Sequence, residues 1–96
     1  MSPNKKKKLN KLRKSLDNID KQLLKIIKKR TKVIDNVIKI KEFKNQIVDK
    51  KRIKVILNKI KKLSIKNKVD PNVTNRIWKN MIWSYINYER RNFKKN

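Results

Sequence analysis

The chain has 96 residues, with 31 Lys and Arg against seven Asp and Glu and a formal net charge of +24. Cys, His and Gly are absent, which excludes disulfides, thiol nucleophiles, Ser-His catalysis, the usual zinc sites and glycine-rich phosphate loops. This length supports one domain at most, and a monomer of this size buries only about 60 to 65% of its unfolded surface, so any long helix needs a partner chain.

Residues 1–8, MSPNKKKK, offer nothing to bury and read as a disordered basic tail. Beyond them, apolar residues recur at Leu9, Leu12, Leu16, Ile19, Leu23, Ile26, Val33, Val37 and Ile40. This alternating three-and-four spacing predicts one helix from about Leu9 to Lys44, roughly 50 Å long, with a single seam. Arg30 falls on the beat that the seam reserves for an apolar residue. Asn45 to Asp49 interrupts the pattern, and a second helix follows with Ile53, Ile56, Leu57, Ile60 and Leu63 on one face. Asp70-Pro71 supplies a third start, an N-cap carboxylate before a proline at the first helical position. Val73, Ile77, Met81, Ile82, Tyr85, Ile86, Glu89 and Phe93 then share a broad face. No stretch alternates with period two, and glycine, which most hairpin turns require, is absent. The expectation is an all-α chain of three helices, a single domain over residues 9–96.

The net charge points first to a polyanion, held by salt-dependent phosphate contacts. However, the lysines are spread over the whole chain and accompanied by abundant Ile and Asn. Solvated helix faces are therefore the better reading for most of them, and nucleic acid is a secondary expectation. No run approaches the ~18 apolar residues of a membrane span, and no apolar stretch follows Lys5–Lys8 as an export signal requires. A cytoplasmic protein is expected. The seven acids, Asp17, Asp20, Asp35, Glu42, Asp49, Asp70 and Glu89, are scattered among cations and predict no metal site.

Two charges of opposite sign intrude on apolar faces, Arg30 and Glu89. Lys41 lies eleven residues after Arg30, about three turns plus 20°, so the two cations project from nearly one side. Arg13, seventeen residues before Arg30, is about 100° away and faces elsewhere, toward another subunit. Each charge has a plain alternative: an arginine stem on the core edge, a solvated lysine, or a surface ion pair of Glu89 with Arg90 or Lys94. Together they describe a small, dry, cationic cavity suited to a dianion.

At these residues the sequence resembles the short all-helical chorismate mutases, including the branch that acts as isochorismate pyruvate lyase. The resemblance covers Leu9 to Phe93. It rests on LRKSLDNIDKQLLKIIKKR followed by IKIK, on VDKKR ending at Arg52, on the VDP helix start, and on IWKNMIWSYINYERRNF. It implies an intertwined homodimer of three-helix chains that needs no cofactor and takes the dianion chorismate as substrate. By this resemblance Arg30 binds a substrate carboxylate, Lys41 contacts the breaking ether oxygen, and Arg13 reaches in from the partner chain. Asp49 and Arg52 fall on the segment that closes over the ring hydroxyl. Glu89 stands where most relatives carry glutamine, and Tyr85 where some carry serine. The aromatic third helix, and Ile53 in place of a glutamate, favour the lyase branch; the retained Asp49 favours a mutase. A helical polyanion-binding protein without catalysis is the alternative from another class.

Overall fold

The computed structural model describes residues 1–94, and among them every regular element is helical: α1 (Pro3–Ile40), a 3-10 turn (Lys44–Gln46), α2 (Lys50–Lys66) and α3 (Pro71–Asn92). The all-α class and the count of three helices match the expectation from sequence. The expected domain runs to Asn96, and residues 95 and 96 lie outside the described part. The chain divides into two units, 1–33 and 34–96. The first consists of the two residues before α1 and of α1 as far as Val33; the second holds the end of α1, the 3-10 turn, α2 and α3.

Helix α1 begins at Pro3, six residues ahead of the expected start, so Lys5–Lys8 are helical here. Proline suits the first helical position, and Ser2 supplies the cap. Its Oγ accepts from the Lys5 N–H at 3.3 Å and its carbonyl from the Lys6 N–H at 2.9 Å. The helix also ends four residues short of Lys44. Gln46 Oε1 accepts from the Glu42 and Phe43 N–H groups, at 2.8 and 2.9 Å, and folds this stretch into the 3-10 turn.

In the first unit Leu12, Leu16, Ile19, Leu23 and Ile26 are all exposed. Toward the end of α1 the covered positions are Ile34, Val37 and Ile38, whereas Val33 and Ile40, expected on the seam, are exposed. A strict seven-residue repeat lags an ideal α-helix by ~20° per heptad. Over the three heptads from Leu12 to Val33 the lag is about 60°, more than half of one residue's turn, which favours Ile34 over Val33 on the covered side.

Helix α2 starts at Asp49, whose Oδ1 accepts from the Arg52 N–H at 3.0 Å. Ile53, Ile56, Leu57 and Ile60 are partly covered as expected, but Leu63 is exposed and Ser64 takes the inward position. The buried hydroxyl is satisfied: Ser64 Oγ donates to the Ile60 carbonyl at 2.6 Å and lies 2.7 Å from Thr74 Oγ1 on α3. The pair ties the two helices together beside their connection. At the C-terminus of α2, Val69 N–H returns to the Ser64 carbonyl (2.8 Å) and Lys68 N–H to Ile65 (3.2 Å), the Schellman pattern that favours a left-handed residue at its centre. Lys68 occupies it at φ 58°. A side chain there costs about 1–2 kcal/mol, partly offset by the lower freedom of lysine than glycine in the unfolded chain. Lys68→Gly is therefore expected to raise stability by about 0.5–1 kcal/mol. Urea unfolding at fixed chain concentration would show a higher midpoint at constant slope, and a lower midpoint would contradict the assignment.

Helix α3 starts at Asp70, which accepts from the Asn72 N–H at 2.8 Å, with Pro71 at its first position as expected. Val73 and Ile77 are exposed, and Thr74 and Trp78 are the covered residues of this end. At about 100° per residue, Val73 and Ile77 stand ~180° and ~140° around from Ile82, so one face could not hold all three. The core of the second unit is Ile47, Ile82 and Ile86, flanked by Val48, Ile53, Ile56, Leu57 and Phe93.

Candidate active site

Lys41 is the first residue after α1, still held in helical register by its N–H to the Val37 carbonyl at 3.1 Å. Glu89 lies on the inward face of α3, three and seven residues after Ile86 and Ile82, and is buried at 5% exposure. The two meet: Lys41 Nζ donates to Glu89 Oε1 at 3.2 Å. Glu89 thus turns into the fold instead of pairing at the surface with Arg90 or Lys94. A carboxylate buried this far needs a partner, because an uncompensated buried charge costs several kcal/mol. The ammonium supplies it and keeps the pair neutral in a chain otherwise rich in positive charge.

Tyr85, half-buried, precedes Glu89 by one helical turn, and its ring meets that of Tyr88 edge to face, with centroids 6.1 Å apart and planes at 83°. The Tyr88 hydroxyl donates to Asp35 Oδ1 at 2.7 Å, a second polar link between the end of α1 and α3. Sequence reasoning missed this pair. Asp35 falls among the covered residues Ile34, Val37 and Ile38 once the seam is placed in its true register; with the seam read through Val33, nothing marked it.

The hydrogen bond to Asp35 raises the Tyr88 phenol above its usual value, reinforced by burial and by the Asp35 charge. A raised phenol favours the protonated, folded form. Its contribution is complete below the unfolded tyrosine value of about 10 and is lost as pH rises through the folded one. The stability difference between the native chain and Tyr88→Phe is accordingly expected to be constant from neutral pH to about 9 and to shrink in more alkaline solution. A difference that grows above pH 10 would contradict the contact.

The remaining candidates are distributed over both units. Arg13 is exposed and Arg30 half-buried, both on α1 within residues 1–33. Asp49 and Arg52 are exposed at the start of α2, where one Asp49 oxygen caps the helix through the Arg52 backbone. The contacts of the second unit therefore bring Lys41 and Glu89 together, place Tyr85 one turn away, and give Asp49 a structural duty.

The family model for chorismate mutase type II matches residues 12–90, a span that contains all seven candidates. The chain belongs to that family. Comparison with curated proteins and with solved structures gives no significant match. Chorismate mutases are isomerases acting on chorismate, so family membership carries the activity at that coarse level. Among the described residues of this chorismate mutase family member, no helix is long and apolar enough to cross a membrane.

Proposed function

We propose that the protein is a cytoplasmic chorismate mutase that converts chorismate to prephenate within an obligate homodimer. The reaction is a concerted rearrangement: the ether C–O bond breaks as a C–C bond forms, with no net proton transfer and no covalent intermediate. What the protein supplies is orientation, worth up to ~7–11 kcal/mol in favourable intramolecular cases, and preorganised donors toward the ether oxygen, a few kcal/mol each. In this reading Arg30, and Arg13 of the second chain, hold the carboxylates. Lys41 and Glu89 face the ether oxygen, Asp49 and Arg52 close over the ring hydroxyl, and Tyr85 lines the ring.

The observation that carries this reading is the part-buried Lys41–Glu89 pair, because it joins Glu89, a charge on an apolar face, to the lysine that helical geometry sets on the side of Arg30. The dimer is supported by the exposed apolar seam of α1, Leu12, Leu16, Ile19, Leu23 and Ile26. Sedimentation at micromolar concentration is expected to give a dimer, and a folded, active monomer would remove Arg13 from the site.

The half-buried Ile53 and the aromatic residues of α3 favour a second reading, elimination of pyruvate from isochorismate. Initial rates on the two substrates separate them, and the mutase reading expects the higher kcat/KM on chorismate. Faster release of pyruvate from isochorismate would assign the lyase instead, and no turnover of either would leave a binding protein.

A further inference from the structure

The proposed catalysis leaves one solvent-facing side of the second unit without a role. Helices α2 and α3 pack antiparallel, with Ser64 against Thr74 at one end and Ile53, Ile56 and Leu57 against Ile82 and Ile86 toward the other. Taking Ile60 and Ile82 as the inward directions, Lys54 and Lys61 stand about 100–120° round α2, and Arg76, Lys79, Trp83 and Arg90 about 60–120° round α3 in the same sense. In an antiparallel pair equal rotations lead to one common side. A groove of about 250 Å³ marks that side, lined by Asn58 and Lys61 of α2 and by Asn72 and Asn75 of α3. Tyr88, which meets Asp35 from the end of α1, is rotated about 120° the opposite way. The cationic side is therefore the one away from α1's end.

Its chemistry is specific in two respects. First, it is acid-free: from residue 49 to 94 the acids are Asp49, Asp70 and Glu89. Two of these cap helices and the third is buried on Lys41. Second, a large aromatic stands among the cations. Trp83 is 50% exposed, one and two turns from Lys79, Arg76 and Arg90, which are exposed as well. Cations alone accept any polyanion, but a tryptophan face beside them adds a platform on which an unpaired base can stack.

We propose that this side of the α2–α3 pair, centred on Trp83 and flanked by Arg76, Lys79, Arg90, Lys54 and Lys61, binds single-stranded nucleic acid. The cations hold consecutive phosphates and Trp83 stacks one base. The site is sequence-tolerant, since every base has a stacking face and no acceptor-bearing acid reads base edges here. It is separate from the residues proposed for chorismate and goes beyond that reading.

The full chain is to be titrated with a labelled oligothymidylate of about 20 nucleotides, longer than one stacking site needs, beside a duplex of equal length and vesicles rich in anionic lipid. The single strand is expected to bind tightest, with log K falling against log salt at about −0.7 per phosphate contact, a slope near −3 for four to five contacts. Trp83→Ala is expected to weaken the single strand about tenfold with its salt slope and the chorismate rate unchanged. Lys54→Gln with Lys61→Gln is expected to reduce the slope by about 0.7 for each phosphate no longer neutralised. Should Trp83→Ala not fold, Trp83→Leu on the single strand and the lysine pair's slope decide instead. Equal affinity of native and Trp83 variants, tighter binding of the duplex, or preference for the vesicles would each overturn the proposal.

Discussion

Arg30→Ala is expected to lower kcat/KM for chorismate at least 100-fold, about 2.7 kcal/mol of transition-state stabilisation. Arg30 is half-buried on α1, at the beat where the apolar pattern calls for a core residue. An arginine stem costs little there, and its planar head is suited to fork onto the two acceptors of a substrate carboxylate. Arg30→Lys is expected to recover little, because a point ammonium cannot reproduce the fork. Mixed dimers make the test sharper. One Arg13→Ala chain joined to one Arg30→Ala chain leaves one site with both arginines and another with neither, so activity should return above that of either parent. If it does not, the two arginines do not serve one site from two chains.

Glu89→Gln is expected to raise the rate of chorismate turnover. Glu89 Oε1 already accepts from Lys41, and an ionised carboxylate has no proton to offer an ether oxygen that gains negative charge. A glutamine amide, in contrast, carries an N–H that can be turned to that oxygen. Initial rates of both proteins under one buffer condition at constant ionic strength, which holds screening fixed, make the comparison. Equal rates would separate Glu89 from the reaction and leave Arg30 and Lys41 in place.

The helices were legible because periodicity and capping residues lie in the local sequence. Asp49, Asp70 and Pro71 begin α2 and α3 as their chemistry dictates. The ends of α1 were not, since the start depends on a single serine and the stop on Gln46 reaching back to two backbone amides. The inward faces were read to within one or two residues. Ser64 replaced Leu63, and Ile34 and Ile38 replaced Val33 and Ile40, because apolar content names candidates whereas helical pitch and tertiary partners choose among them. Within the site, Glu89 stood out as a charge on an apolar face and Lys41 by its helical offset from Arg30, and the fold pairs the two. Asp35 and Tyr88 did not stand out, because their hydrogen bond links positions 53 residues apart, beyond any local pattern.

The measurement that bears most directly on the account is the initial rate of chorismate disappearance and prephenate formation with the purified full chain, beside Arg30→Ala at equal concentration. The account predicts saturable, stoichiometric conversion of chorismate to prephenate, with kcat/KM reduced at least 100-fold in the variant. A native chain that leaves chorismate at its uncatalysed rate, or a variant as active as the native chain, would contradict it.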